Sequence, residues 1–545
     1  MKKLKRRATP GSWPVCHGWF VMLVLLAFMG LAFSGCSSSG GSEPGGGAPD
    51  IPSIPSDVSL PALRTTLPAS WDENWFASAS VFDLDADGKK EIIAGRHSVL
   101  YVWNEAGTLL WRAPVGEPAS SVNDHGSDRQ YASPVVGDLD GDGLGEIAIA
   151  YSNTVAVYEQ DGSIKAGWPR TFPGSSGEIR SIAAVDLENN GSFEILAQKT
   201  SAPPVTMAWQ INGIAVTGWP QVTDEDCPEC SSYGGYNQNI GAADIDGDGF
   251  PEVVSTYDCA NIGFMNADGS PLLANTIFSG LLYVNNVPMF HDIDLAIQGW
   301  GPDDNDRDEF TDSPPVFADM DNDGKMEVIV YSDHELAGEY VNRGNCLWVL
   351  NEDLTRVAGF ETPICSDLPL FTEYENNIVQ VAPAPALGQL AGDSRPEIVV
   401  PSYDGRLRCF SPGGTILWTY VFDTAGAPFI GASGAAIGDL DNNGSPEIVF
   451  TTYSTSVGIS HLVILNAGGE QLHRIAIAKR GSMSVPTLGD MDGDGVLEII
   501  ISLKDPLEPG LGGVQIWDVS SATINTLPWP TGRGSDLRNG QSLSF

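Results

Sequence analysis

The sequence predicts an all-β fold, a β-propeller of eight four-stranded blades with calcium loops between the first two strands of the blades. Three observations predict this fold. One acidic motif with a central glycine recurs eight times along the 545 residues. A short apolar run rich in β-branched residues follows the motif, and a glycine-rich turn lies about twenty residues further on. Repetition of such a unit predicts blades arranged around one axis.

The motif has the spacing of a calcium loop. Side-chain oxygens stand at positions 1, 3, 5 and 9, and a glycine stands at position 6. Ca²⁺ takes roughly six to eight hard oxygen ligands, and the glycine permits the sharp turn between them. We therefore expect about seven Ca²⁺ sites, with the ligands Asp83, Asp85, Asp87, Glu91, Asp138, Asp140, Asp142, Glu146, Asp186, Glu188, Asn190, Glu194, Asp244, Asp246, Asp248, Glu252, Asp319, Asp321, Asp323, Glu327, Asp439, Asp441, Asn443, Glu447, Asp490, Asp492, Asp494 and Glu498.

An eighth copy of the motif has lost most of its ligands. It reads Gln389, Ala391, Asp393, Ser394 and Glu397 at positions 1, 3, 5, 6 and 9, so we expect a blade without a metal. The alternative interpretation of all copies is a solvated acidic turn, because Asp, Asn and Gly are ordinary turn residues. Seven copies with the same offsets favour calcium. The loop is not an EF-hand, which needs a Glu at position 12 and flanking helices.

The sequence on either side of each loop predicts strands A and B, and a tight turn then separates strands C and D. In the second unit the predicted strands are Ser133–Val136, Ile147–Tyr151, Thr154–Tyr158 and Ser163–Trp168. In the sixth unit the predicted strands B to D are Ile398–Ser402, Arg406–Phe410 and Thr415–Tyr420. Seven blades plus an excursion is the alternative, because the loops from Asp244 to Gln389 are more widely spaced. No segment has a convincing helical period.

These repeats resemble the FG-GAP/VCBS family, whose calcium-loop blades also occur in integrin α-subunit propellers. The resemblance covers roughly residues 76–530 and implies a propeller with structural calcium. Two features differ from that family. Segments such as Pro134–Asp138 replace the Phe-Gly and Gly-Ala-Pro flanks, and position 9 is Glu where the integrin-like loop more often has Asp.

The N-terminus predicts export. Basic residues precede an apolar stretch over residues 19–33, which is short for a membrane span and typical of a signal peptide. The stretch ends in a sequence that resembles a bacterial lipobox, with Cys36 as the lipidated residue; an ordinary signal peptide or an uncleaved anchor is the alternative. We expect a lipid-anchored envelope protein, at the outer membrane or cell surface. The predicted regions are a lipoprotein signal peptide (1–35), Cys36 with a flexible Gly/Ser/Pro tether (36–72), the propeller (73–530) and a C-terminal tail (531–545).

The charge of the chain excludes some partners. The formal net charge is −42, and loss of residues 1–35, which carry five basic and no acidic side chains, makes it −47. So acidic a surface argues against nucleic acid, which needs a basic face. Six cysteines follow Cys36, and an even number in an exported chain indicates disulfides. We expect Cys346–Cys365, and Cys259 with Cys227 or Cys230.

Long insertions predict a binding face. They occupy B–C or D–A connections, opposite the calcium loops, at 222–240, 278–313, 332–345 and 363–382. Their aromatic side chains are candidates for stacking on sugars or anchoring a protein: Tyr233, Tyr236, Phe290, His291, Trp300, His334, Tyr340, Phe371 and Tyr374. An additional calcium site is a weaker possibility, because the 1-3-5-9 spacing recurs at Asp304, Asp306, Asp308 and Asp312, although position 6 is Glu309.

We expect a non-enzymatic surface lipoprotein that binds a protein or glycan partner, in adhesion, envelope assembly or substrate capture. The sequence contains no nucleophile elbow, zinc motif or paired catalytic carboxylates outside the loops. The alternative is a carbohydrate-active enzyme such as a polysaccharide lyase, with His291, His334 and Tyr340 as candidate groups beside calcium. A quinone-dependent dehydrogenase would need Trp-docking repeats that the chain lacks.

Overall fold

The computed structural model describes residues 51, 54–69, 73–115, 128–174, 177–221, 233–299, 306–336, 344–367, 378, 381–392, 394–424, 428–508, 511–520 and 526–542. The signal peptide, Cys36, Cys227, Cys230 and several insertion residues (Trp300, Asp304, Tyr340, Phe371, Tyr374) lie outside these ranges, so the predictions made for them remain predictions. Within these ranges no helix has the length and apolarity that a bilayer crossing requires.

Eight antiparallel four-stranded blades form the propeller, as predicted, and the seven-blade alternative is wrong. In blades 3 and 4 the outermost strand consists of isolated bridges, such as Thr206 to Gln221 and Met265 to Pro271. The strands of blades 1 to 4 are Ser80–Phe82, Glu91–Arg96, Val99–Trp103 and Leu109–Pro114; Val135–Gly137, Glu146–Tyr151, Thr154–Tyr158 and Arg170–Thr171; Ile179–Val185, Glu194–Lys199 and Thr206–Gln210; Ile240–Ala243, Glu252–Thr256 and Ile262–Met265.

Blades 5 and 7 each contain one additional strand that pairs with strand B. These strands are Asp306–Glu309 in blade 5 and Ile430–Ala432 in blade 7. The remaining strands of blades 5 to 8 are Val316–Ala318, Glu327–Leu336, Asn345–Leu350 and Ile364–Cys365; Ala386–Gly388, Glu397–Pro401, Arg406–Phe410 and Ile416–Val421; Ala436–Gly438, Glu447–Ser454, His461–Leu465 and Gln471–Ala476; Thr487–Gly489, Leu497–Ser502, Val514–Val519 and Ala62–Thr66. A short α-helix, Ile293–Gln298, and a 3₁₀ turn, Val284–Asn286, lie in one insertion, where the sequence showed no helical period.

Strand boundaries differ from the prediction mainly at the outer edge. In blade 2, strands B and C are close to the expected ranges, but strand D is Arg170–Thr171 rather than Ser163–Trp168. The expected segment contributes only the bridge between Ile164 and Tyr158. The inner strands are the best specified because both of their faces are buried between neighbouring blades, as in the entirely buried strands Glu91–Arg96 and Val99–Trp103.

Both termini close the ring. Ala62–Thr66 pairs antiparallel with strand C of blade 8, with Ala62 opposite Asp518 and Thr66 opposite Gln515. This segment was assigned to the tether, and that assignment is wrong for these residues. The strand is mostly exposed and carries only one large apolar residue, Leu63, so no alternation marks it in the sequence. This strand from the other end of the chain covers the outer edge of strand C of blade 8 and ties the last blade to the first.

The C-terminal segment is also part of the fold rather than a peripheral tail. Its backbone carbonyls accept hydrogen bonds of 2.8–3.0 Å from inner strands of six blades, always at the residue two positions before the loop motif; the pairs are Val136 to Asp536, Ala184 to Leu537, Ala242 to Asn539, Phe317 to Gly540, Ile437 to Trp529 and Leu488 to Pro530. The segment therefore lines the central channel and satisfies donors that the inner strands cannot share with a neighbour.

Two buried arginines hold this segment in place. Arg533 donates to the carbonyls of Ile182, Gln238 and Ile240, and Arg538 donates to those of Pro134 and Ala79. Each side chain is almost completely buried, and the multiple donors of a guanidinium match the ring of converging carbonyls.

Candidate metal loops and the insertion face

The first loop position and the glycine at position 6 form one constant contact. In all seven loops the glycine N–H donates to the position-1 Oδ2, at 2.7–3.1 Å. The glycine φ values lie between +85° and +94°. A side chain strains this backbone conformation, so the glycine is required by the turn itself. This confirms the conformational role expected for position 6.

Position 5 tolerates Asp or Asn for a clear reason. Its Oδ1 accepts the N–H of position 7 at 2.7–2.9 Å in every loop, whether the residue is Asp87 or Asn190. An amide oxygen makes this bond as well as a carboxylate oxygen does. The amide substitutions at Asn190 and Asn443 therefore preserve the loop conformation while removing one negative charge.

The position-9 glutamates are the buried members of the loops. One carboxylate oxygen accepts the backbone N–H of position 2 at 2.5–2.9 Å in all seven loops. Burial raises the pKa of Glu91 to about 7 and that of Glu327 to about 8, with a further rise from the neighbouring aspartates. Ligand oxygens of Asp83, Asp85 and Glu91 lie within 4.8 Å of one another. A buried carboxylate beside like charges is the environment that a cation relieves.

Two loops already contain a cationic side chain. Lys165 Nζ lies 2.7 Å from Asp140 Oδ2 and 3.1 Å from Glu146 Oε1 in the blade 2 loop. In the blade 8 loop, Arg64 of the closing strand lies 2.5 Å from Glu498 Oε1 and contacts Asp492. The spacing of the motif gave no indication of either cation, because both come from outside it.

The eighth loop keeps its scaffold but not its ligands. Glu397 still accepts the N–H of Leu390 at 2.6 Å, so the buried end of the motif survives. Gln389 at position 1 donates its amide to the carbonyl of Ser394 at 3.1 Å, where a carboxylate would accept. The loop is thus held by a hydrogen bond of opposite polarity.

The additional loop predicted around Asp306 and Asp308 does not form. Asp306–Glu309 is a strand paired with the extended strand B of blade 5, so consecutive acidic residues cannot wrap around one ion. Asp308 is fully buried and contacts His291, Ser332 and Trp348. The 1-3-5-9 spacing without the glycine was therefore misleading.

The insertion face contains a cavity at the centre of the ring. Its volume is about 20 Å³, it is partly open to solvent, and its lining includes Phe76, Gln238, Met483 and Arg533. Apart from Gly532 and Arg533 of the C-terminal segment, the lining residues precede strand A in their blades, which places the cavity on the side opposite the acidic loops. The C-terminal segment forms its floor.

The predicted aromatic residues of this face have different environments. Tyr233 is exposed, whereas Arg180 lies 5.5 Å from the ring centre of Tyr236. Phe290 is buried, and the rings of His291 and His334 stack at 4.6 Å. The Cys346–Cys365 disulfide forms as predicted, whereas the suggested partners of Cys259 lie outside the described residues.

The insertion after blade 4 exposes an apolar surface. Leu273 bridges Tyr283, and the N–H of Ala274 donates to the carbonyl of Leu282 at 3.2 Å. Four large apolar side chains in this hairpin remain exposed, namely Leu273 (69%), Ile277 (45%), Leu282 (66%) and Tyr283 (37%). Sequence reasoning missed these three aliphatic residues and Tyr283, which only the hairpin geometry brings together.

Comparisons with known proteins give one family match and several distant structural neighbours. A family model described as FG-GAP-like repeat matches residues 83–149 and 138–197. No curated protein sequence matches the chain. Among solved structures, BamB from Moraxella catarrhalis is similar, with 13% identity, a TM-score of 0.46 and coverage of 86% of this chain and 100% of that chain.

Two further solved structures are similar at the same level. The biofilm matrix protein Bap1 of V. cholerae has 16% identity and a TM-score of 0.39, and the match covers 90% of this chain and 94% of that chain. A rhamnogalacturonan lyase from Bacillus licheniformis has 14% identity and a TM-score of 0.47, with coverage of 84% and 76%. The chain thus contains FG-GAP-like repeats within residues 83–197 and folds into an eight-bladed β-propeller.

Proposed function

We propose that this protein is a calcium-stabilised, lipid-anchored propeller of the bacterial envelope that captures a protein or glycan partner at an exposed hairpin of the insertion after blade 4. The observation that carries this proposal is the hairpin containing Leu273 and Tyr283, which exposes four large apolar side chains on a framework of backbone hydrogen bonds. Exposed apolar groups concentrated on a rigid scaffold are typical of interaction sites.

Calcium supplies the charge balance that the loops need. The loops at Asp83, Asp186, Asp244, Asp319 and Asp439 fit it best, since their buried glutamates face aspartates. The loops at Asp138 and Asp490 are partly neutralised by Lys165 and Arg64. We therefore infer that five of the seven loops bind Ca²⁺ tightly. In each of these loops the metal ties strand A to strand B.

The partner-binding role is tested on an array of glycans and purified envelope proteins with the full-length protein in millimolar calcium. Leu282→Asp changes an exposed hairpin residue, and Ile416→Asp is the matched control on an exposed strand of blade 6. We expect selective ligands whose binding Leu282→Asp weakens at least tenfold while Ile416→Asp leaves it intact. Equal binding by both variants would remove the hairpin from the proposal.

The lipid anchor is tested at Cys36. Mass spectrometry of the N-terminal peptide should show an acylated Cys36 as the first residue, and Cys36→Ser should release the protein from membrane fractions. An unmodified Cys36 within an intact leader would contradict the anchor and the proposed location.

A carbohydrate-active enzyme remains the second candidate, and one observation favours it. His291 and His334 stack on each other beside the buried Asp308, so the structure brings together two candidate bases that the sequence left apart. A rise in unsaturated-uronate absorbance on pectic substrates that His334→Ala abolishes would support a lyase. The absence of product from these substrates would leave binding as the function.

A further inference from the structure

Three side chains from separate segments converge beside strand B of blade 5. Phe290 bridges Arg307, and the side chain of the adjacent His291 reaches Asp308. Asp308 in turn pairs with His334 in the sheet register. Ligand atoms of these three side chains, His291, Asp308 and His334, lie within 4.8 Å of one another.

The carboxylate of Asp308 is oriented by its neighbours. Its Oδ2 accepts hydrogen bonds from Ser332 Oγ at 2.6 Å and Trp348 Nε1 at 2.5 Å. Its Oδ1 lies 2.8 Å from His291 Nε2. Fixing one oxygen through hydrogen bonds and presenting the other is the arrangement that outer groups give to a metal-ligating carboxylate.

The site is buried at one end and accessible at the other. Asp308 has no exposed surface, and the His291 side chain is 13% exposed. Arg356 donates to the carbonyls of His291 and Phe290 and lies 4.9 Å from the Trp348 ring centre, so the backbone carrying His291 is anchored. The guanidinium charge opposes a nearby cation and is offset by Asp308 and Asp292, the two carboxylates in its electrostatic environment.

We propose that His291, Asp308 and His334 form a binding site for a divalent transition metal of the zinc class, distinct from the calcium loops. Two imidazoles and one carboxylate form a ligand set typical of first-row transition metals, whereas Ca²⁺ takes hard oxygen ligands. The ligand atoms of the three side chains lie within 4.8 Å of one another, and ligands of tetrahedral zinc are about 3.3 Å apart, so only small side-chain adjustments are needed to hold the metal.

Such a metal joins an insertion to its blade. His291 and Asp308 belong to the insertion after blade 4, and His334 belongs to the extended strand B of blade 5. Cys346 also lies near His291, but its sulfur is bonded to Cys365 and is not a thiolate ligand. The N₂O ligand set therefore operates with the disulfide intact, and the metal stabilises the base of the insertion face.

The test is a calorimetric titration of the full-length protein with Zn²⁺ alone. The protein is kept in millimolar Ca²⁺ to saturate the calcium loops and without reductant to preserve Cys346–Cys365. We expect one Zn²⁺ per chain, and Co²⁺ in its place should give the visible absorption of a tetrahedral nitrogen and oxygen site. His334→Gln should weaken zinc binding about a hundredfold or more, because it removes a direct ligand.

The matched control is His461→Gln, a partly buried histidine of blade 7. It should retain wild-type zinc affinity and the cobalt spectrum. Asp308→Asn and His291→Gln should both lose binding, and melting curves in calcium show whether each variant is folded. Absence of saturable zinc binding by the wild type, or wild-type zinc affinity in folded His334→Gln and His291→Gln, would overturn the proposal.

Discussion

Replacement of Lys165 by Met should change the metal content of one blade. The Lys165 ammonium contacts Asp140, Glu146 and Glu159, and the side chain is only 10% exposed. Burial lowers the pKa of this lysine, but hydrogen bonds and charges from the same carboxylates outweigh that effect and raise it overall. The variant keeps the aliphatic stem and removes the charge, so the loop must find another cation.

The magnitude follows from the environment of Glu146. Removal of one partner of a buried ion pair costs about 3–5 kcal/mol, because the remaining charge is left without compensation. Calcium at 100 times its dissociation constant returns about 2.7 kcal/mol. Lys165→Met should therefore be strongly destabilised in EDTA, close to wild type in saturating calcium, and should bind one more Ca²⁺ than the wild type.

Calorimetric melting with and without calcium, together with calcium analysis, measures both effects. Lys89→Met is the matched control, because Lys89 is exposed and pairs with Glu105 beside the blade 1 loop. If Lys165→Met binds as many Ca²⁺ ions as the wild type and loses the same stability with and without calcium, the Lys165 ammonium does not take the place of a calcium ion.

Three further predictions concern the loops and the C-terminal segment. Burial raises the pKa values of Glu252 and Glu327 from 4.5 to about 7 and about 8, so their contribution to the stability of the metal-free fold is fully present below pH 4.5 and is lost as pH rises from there to these values. Melting in EDTA should therefore fall from pH 6 to pH 8.5, while the stabilisation by calcium grows; a flat dependence would contradict the assignment. Gly249→Ala should lower the free energy of unfolding in urea by about 1–2 kcal/mol. The cost is backbone strain at φ +94° alone, since the added methyl group meets no atom within 4 Å, and Gly413→Ala, which has no such φ, should leave the free energy of unfolding unchanged. Removal of residues 526–545 should lower the melting temperature severely, because six inner strands lose hydrogen-bond acceptors. Removal of residues 543–545 alone should not lower it. Equal melting temperatures of the two truncated proteins would exclude a stabilising role for the C-terminal segment.

The repeat determined most of the fold in advance. Each loop contains its own turn chemistry, so the contacts of Asp83 with Gly88 and of Glu91 with Leu84 follow from local spacing. Eight copies then specify eight blades, and the pairing of Cys346 with Cys365 follows from their places in one blade.

Features that depend on distant segments were not predictable. Arg64 reaches Glu498 across 434 positions, and only closure of the ring brings the two residues together. The C-terminal segment lacks apolar periodicity, since its buried anchors are Arg533 and Arg538, whose burial depends on carbonyls from other blades. The site at Asp308 is hidden for the same reason, because its ligands come from separate strands and follow no motif.

The calcium content of the purified protein tests the central claim most directly. The protein is loaded in millimolar calcium, freed of excess ion and analysed for bound metal, and its melting is then compared before and after chelation. The account predicts about five tightly bound Ca²⁺ per chain and a large fall in melting temperature in EDTA. Absence of bound calcium together with an unmoved melting curve would contradict the account, because the buried loop glutamates would then be stable without a cation.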